Sequence, residues 1–270
     1  MTTHEFERIR LEIDGPVAKL VMNHVEVMNA VSLEMLGGFK RALDVIEKPE
    51  SGVRCVLWTG EGRGFCTGAN LAGGAGSSDF DPESRDAGLA LETSYHPFLR
   101  RIRNLKVPVI TAVNGPAAGV GCSIGLCGDF VLAAREKGYF LQAFVNIGLV
   151  PDGGASWMLP RMVGKARATE MMMLGEKISA DKAEEWGLIY KAVDDAELMA
   201  EARALATRLA NGPTVSYAVM RKNILVAMEN SFSEQLLAEA EGQRIAGSSA
   251  DAMEGGLAFL EKRKPNFQGK

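Results

Sequence analysis

The sequence predicts an α/β fold. Short runs of apolar and β-branched residues, such as 53–58 (VRCVLW) and 107–113 (VPVITAV), alternate with stretches of helical periodicity, and glycine-rich turns join the two. Near residue 195 the composition shifts to Ala, Leu, Glu and Arg at helical spacing, which adds a helical region after the mixed part.

The elements follow in order. Residues 6–13 alternate polar and apolar side chains, Asp14, Gly15 and Pro16 make a turn, and 17–22 is a second strand, so a hairpin opens the fold. Ser32 stands before Leu33, Leu36, Phe39, Leu43 and Ile46, a capped amphipathic helix that persists despite Gly37 and Gly38 and ends near Pro49. Residues 53–58 form a buried strand. Residues 71–91 are rich in Gly, Ser and Asp and are too long for an ordinary connection, which predicts a substrate loop. A strand at 107–113 leads through Asn114, Gly115 and Pro116 into an almost uncharged run, and residues 130–133 are the next strand after Asp129. A helix is expected just after Asp152. Helical patterns at 195–210, 214–229, 232–246 and 250–263 complete the chain, divided by Pro213 and closed by Pro265. The expected division is a core over 1–195 and a helical region over 196–270.

Composition bounds the function. The chain has 270 residues, 47% of them hydrophobic, with 30 Lys and Arg against 34 Asp and Glu, so no global positive field favours nucleic acid or an anionic membrane. No apolar run of about 18 residues is present, and the opening Met1-Thr2-Thr3-His4-Glu5 has no leader character, so a cytoplasmic location is expected. The cysteines (Cys55, Cys66, Cys122, Cys127) form no C-x-x-C pair and read as small core residues; His4, His24 and His96 are isolated, so no metal site is expected.

Two glycine-rich turns each follow a strand and are expected to open a helix: residues 60–70 (GEGRGFCTGAN) and 114–121 (NGPAAGVG). The first turn of a helix leaves backbone N–H groups without internal acceptors, and two such turns can converge on one oxyanion; tight packing is the other reading. A dinucleotide fingerprint is excluded at the second turn, because Ile124 stands where the third glycine would be. Carboxylates are scarce around these turns: over 107–160 they are Asp129, Glu136 and Asp152. Asp129 sits between a helix and a strand, and Glu136 lies in a charged turn. Asp152, in 149–154 (LVPDGG) before Trp157, reads either as a turn or N-cap residue or as a functional carboxylate.

The chain resembles the crotonase superfamily, also called the enoyl-CoA hydratase/isomerase family, over nearly its whole length. The resemblance rests on 64–71 (GFCTGANL), 108–115 (PVITAVNG) with 119–122 (GVGC) and Asp129, 147–154 (IGLVPDGG), 174–180 (LGEKISA) with 186–189 (WGLI), and 259–265 (FLEKRKP). It implies a spiral of ββα units with a C-terminal helical region that builds homotrimers, or hexamers as dimers of trimers. It also implies an acyl-CoA substrate, with coenzyme A as part of that substrate and no further cofactor, and neither nucleic acid nor membrane as partner.

The resemblance assigns the oxyanion donors to the backbone N–H groups of Ala69 and Val120, and substrate contacts to Gly68, Asn70, Leu71, Gly119, Gly121 and Phe144. Family hydratases carry two glutamates; here the corresponding positions hold Ser123 and Phe144. Adding water requires one group to deprotonate it and another to protonate carbon, so two-carboxylate hydration is disfavoured. Asp152 remains, and its surroundings resemble the phenylacetate-pathway ring-epoxide isomerases of the family. The implied activity is acyl-CoA isomerisation by a single aspartate. A hydratase, a thioesterase, a dehalogenase or a non-catalytic acyl-CoA binder is the alternative. Burial against Phe144 and Trp157 should raise the Asp152 pKa and a following helix N-terminus should lower it. Lys262, Arg263 and Lys264 form either a solvated helix end or a contact to CoA phosphates. Asn70 in place of the frequent Asp, and Asn23-His24-Val25 in place of Asn-Arg-Pro, depart from the family pattern.

Overall fold

A computed structural model describes residues 1–70 and 86–270. A seven-stranded sheet organises them. Strands β1 (Thr2–Phe6), β2 (Ile9–Asp14) and β3 (Val17–Met22) form an antiparallel meander, and β4 (Cys55–Gly60), β5 (Val109–Val113), β7 (Phe130–Ala134) and β10 (Lys191–Val193) continue it in parallel. A second, three-stranded layer joins β6 (Pro116–Ala118), β8 (Tyr139–Leu141) and β9 (Ile178–Ser179).

The opening differs from the sequence expectation, which placed one strand over 6–13. Phe6 pairs with Ile9 across a two-residue turn at Glu7 and Arg8, with Arg8 in the left-handed region at φ 59°, so an additional edge strand precedes the predicted hairpin. Helix α1 (Leu33–Ile46) starts as predicted, the Ser32 Oγ accepting the Met35 N–H at 3.2 Å. Gly38 is required by that turn: a side-chain carbon there would stand 2.2 Å from the Glu7 carbonyl oxygen.

Alternation along the central strands sends side chains to two cores. Val56 and Trp58 of β4, with Val109 and Val113 of β5, pack toward Met35, Phe39 and Leu43 of α1. Cys55, Leu57, Ile110 and Ala112 face the other way, onto Leu198, Ala202, Ala206 and Leu209 of α7 (Leu198–Ala210). The change of composition near residue 195 thus marks the passage from β10 to a helix that is itself a layer of the core. Burial pushes all four cysteine thiols up to about 12, the behaviour of small core side chains.

Between the sheets and the tail lie α2 (Ala87–Ala90), a π turn (Leu91–Tyr95), α3 (His96–Arg103), α4 (Val120–Gly125), α5 (Ala155–Leu174, broken at Gly164) and α6 (Ala180–Glu185). Residues 71–85 of the expected substrate loop lie outside the described residues.

Helices α8 (Thr214–Ala227), α9 (Phe232–Gly247) and α10 (Ala250–Leu260) complete the fold. The buried Arg221 of α8 anchors them: it donates to Oδ2 of the more exposed Asp129 at 2.6 Å and to the Leu105 carbonyl, and the same Oδ2 accepts the Val109 N–H at 2.7 Å. Asp129 is therefore structural. These helices also present Ile224, Phe232, Leu237, Met253 and Phe259 to solvent in the single chain. Among the described residues, no helix is long and apolar enough to cross a membrane.

Candidate active site

The two glycine-rich turns are zipped together. Phe65 and Cys66 donate their N–H groups to the Pro116 carbonyl at 3.1 and 3.0 Å, and the Ala118 N–H returns to the Cys66 carbonyl at 2.9 Å. On its other side the first turn is braced by Val31, whose N–H donates to the Gly68 oxygen and whose oxygen accepts the Asn70 N–H, both at 2.8 Å. Asn29, fully buried, ties the start of that turn by donating to the Glu61 and Gly64 carbonyls at 2.9 Å. The first turn thus runs extended between Val31 and β6. The helix that this turn is expected to open would follow residue 70, outside the described residues.

The second turn does open a helix. Gly119, at φ 54° and ψ −131°, precedes Val120, the first residue of α4. Only glycine adopts this backbone freely, and Gly119 touches the other turn: a side-chain carbon on it would stand 3.6 Å from the Gly68 Cα. Gly121 is packed more tightly, since a carbon there would lie 2.3 Å from the Cys66 carbonyl oxygen. Among the described residues, neither the Ala69 nor the Val120 N–H donates to a hydrogen-bond acceptor. Two unpaired donors therefore flank a backbone contact between the turns. Phe144, buried in the 3-10 turn Ala143–Ile147, brings its ring to 4.0 Å from the same Gly119 position. Leu71 lies outside the described residues.

Asp152 comes to this place on the turn that leads into α5. Its side chain does not cap that helix: Gly154 is the N-cap and no side-chain bond closes the first turn. The Asp152 main-chain oxygen accepts the Ala155 N–H at 3.1 Å and the Ser123 hydroxyl at 2.9 Å, while the carboxylate Oδ1 is buried with no hydrogen-bond partner among the described residues. Gly153 sits against α4, where an added carbon would meet the Ser123 Cβ at 2.7 Å and the Val120 Cγ2 at 3.2 Å. The same short helix therefore carries one candidate donor and the seat of the Asp152 turn. Burial raises the Asp152 carboxyl from 3.8 to about 6. Desolvation is the cause, and Gly153 and Gly154 set the residue apart from the first helical turn.

A family model described as enoyl-CoA hydratase/isomerase matches residues 12–270. The chain belongs to the enoyl-CoA hydratase/isomerase family. It is 42% identical to the 1,2-epoxyphenylacetyl-CoA isomerase of Escherichia coli K12, covering 98% of this chain and 99% of that protein. It is 40% identical to a protein of Rhodobacter capsulatus named as a probable enoyl-CoA hydratase, again over 98% and 99%. A crystal structure of an enoyl-CoA hydratase from Polaromonas sp. JS666 superposes with a TM-score of 0.86 at 33% identity, covering 96% of this chain and 99% of that one. The family shows the crotonase fold and implies an acyl-CoA substrate; its members near this chain carry both isomerase and hydratase names.

Within this family framework, sequence reasoning missed two side chains of the site. Tyr95, buried on the π turn, places its hydroxyl 3.5 Å from the Val31 carbonyl that braces the first turn. Burial and then the charge of Asp152 push its phenol up to about 12, so phenol and carboxylate sense each other. No motif surrounds Tyr95 to signal this. Ser123 stood out only as the residue replacing a glutamate; its bond to Asp152 joins positions 29 apart in sequence. Trp157, expected as a wall beside Asp152, carries the guanidinium groups of Arg103 and Arg161 at 4.4 and 4.3 Å from its ring centre. At the tail, Arg263 pairs with Glu254 and Glu261 at 2.6 Å each, so its guanidinium is engaged within the chain.

Proposed function

We propose that this family member is an acyl-CoA isomerase in which Asp152 moves a proton while the Ala69 and Val120 N–H groups hold the thioester oxygen. The observation that carries the reading is the buried, unpartnered Oδ1 of Asp152 on a turn seated against α4. A carboxylate without a hydrogen-bond partner accepts a proton readily, and a pKa of about 6 brings it near the ambient pH, where a general acid/base is most effective.

The chemistry follows from charge placement. Asp152 removes a proton from the carbon α or γ to the thioester, and the electron pair moves onto the thioester oxygen. Preorganised N–H donors are worth a few kcal/mol each against that developing charge. Protonated Asp152 then returns the proton to the other carbon, and the double bond has moved with no atom gained or lost. For a ring epoxide, the protonated acid guides the epoxide oxygen during ring expansion. Ser123 and Phe144 offer no second carboxylate at the places where family hydratases carry theirs. Coenzyme A enters as part of the substrate, with no further cofactor. The exposed apolar faces of α8, α9 and α10 support self-association into the trimer or hexamer expected from the resemblance.

The test is incubation with panels of 3-enoyl-, 2-enoyl- and ring-epoxide CoA esters, followed by ultraviolet absorbance and mass spectrometry. The reading expects a shifted double bond or expanded ring at unchanged mass. Gain of one water would make the protein a hydratase, and binding without conversion a carrier of acyl-CoA.

A further inference from the structure

We propose that Ser123 is a positioning residue, whose hydroxyl holds the Asp152 main chain on the helix carrying the Val120 N–H so that acid/base and oxyanion donor move as one body. This rests on the isomerase reading of Asp152 and Val120.

The geometry leaves little else to fix the carboxylate. Among the described residues no donor reaches Asp152 Oδ1, so the placing of the carboxylate depends on the backbone that carries it. That backbone is held at its main-chain oxygen, which accepts the Ala155 N–H from its own turn and the Ser123 hydroxyl at 2.9 Å from α4. Ser123 is fully buried and lies three residues after Val120, on the same face of a helix only six residues long. The Ser123 Cβ and the Val120 Cγ2 together form the surface on which Gly153 rests. Gly153, at φ 63°, has room for no side chain of its own there. A glutamate at position 123 would lose the bond and push this turn away. The serine and the aspartate are therefore one arrangement, and exchanging the serine for a family-type glutamate dismantles it.

The experiment compares Ser123→Ala and Ser123→Thr with the parent, measuring kcat, KM, the pH dependence of kcat and the affinity for a saturated acyl-CoA. A loosened turn misplaces the base by a fraction of an ångström to about 1 Å, which costs about 10- to 100-fold in rate. Ser123→Ala is expected to lose that much in kcat with KM and affinity within about twofold of the parent, because the backbone donors stay in place. Its acidic limb should move below the parent's, since a freed turn lets the carboxylate reach solvent. Ser123→Thr, which keeps the hydroxyl, should recover most of the rate. If alanine prevents folding, Ser123→Cys keeps the volume with a weak donor and is expected to show the same displaced limb.

A parent-like kcat and limb in Ser123→Ala would overturn the proposal. So would equal losses of kcat, affinity and folded fraction with the limb unmoved, the pattern of a merely structural residue. Asp152→Asn in the same assay separates the two levels. If it is inactive while Ser123→Ala behaves as the parent, only the positioning role fails; if it is fully active, the isomerase reading fails with it.

Discussion

Replacing Asp152 by asparagine should stabilise the protein at neutral and alkaline pH relative to acid, while removing its activity. In the folded chain burial lifts the carboxyl from 3.8 to about 6. The folded state therefore holds the proton more tightly than the unfolded state, and between those two values it binds more protons. Stability contributed by the protonated group is complete below the unfolded value and is lost as pH rises through about 6. A shift of about two units at about 1.4 kcal/mol each gives close to 3 kcal/mol, and partial solvent access reduces this to about 1–3 kcal/mol. Asparagine cannot ionise, so it escapes that loss. Its own packing cost is the same at every pH and cancels when two pH values are compared. About two thirds of that change falls between about pH 4.5 and about pH 8, and for a chain of this size about 1 kcal/mol moves Tm by roughly 2–4 °C, so the Tm difference between variant and parent should grow by about 1–8 °C over that range. Thermal scans at equal protein concentration measure it directly. An equal difference at both pH values would show that ionising Asp152 costs the fold nothing, and would remove the physical ground for its role as a tuned base.

Val120→Pro deletes one candidate oxyanion donor at the first position of α4, where proline is tolerated; kcat should fall about 10²- to 10³-fold in a protein with an unchanged circular dichroism spectrum. Gly121→Ala must part the two turns, since its new carbon would lie 2.3 Å from the Cys66 oxygen, and should lose both activity and Tm. Gly256→Ala, exposed on α10 with open space around it, should instead gain about 0.5–1 kcal/mol in urea unfolding. Arg221→Ala removes the buried guanidinium that ties Asp129 and the Leu105 carbonyl to α8 and should cost about 1–3 kcal/mol, read as a lower urea midpoint and faster proteolysis of α8–α10.

Much of the fold was legible in the sequence. The central strands announce themselves as short apolar runs because both faces of that sheet are covered, and α1 through its Ser32 cap and regular apolar stripe. β1 was not legible: residues 2–6 (TTHEF) form a largely exposed edge strand, which leaves no apolar alternation to read. The three-stranded layer escaped for another reason. Its strands are two or three residues long, shorter than the window in which any period can be recognised, and they exist through pairing with one another. At the site, the glycine spacing and Asp152 stood out, but Pro-Asp-Gly fits an N-cap and a free carboxylate equally well. The choice between them depends on the Ser123 bond and the buried Oδ1, both consequences of long-range packing.

The central claim is that Asp152 carries the proton between two carbons of an acyl-CoA. Its most direct test is to incubate parent and Asp152→Asn in deuterated water with the enoyl-CoA ester turned over best, and to follow deuterium at the α and γ carbons by mass spectrometry and NMR. The account predicts incorporation with a shifted double bond in the parent, and no exchange in the variant although the ester still binds. Exchange in the variant at the parent's rate would contradict it and place the acid/base elsewhere in the site.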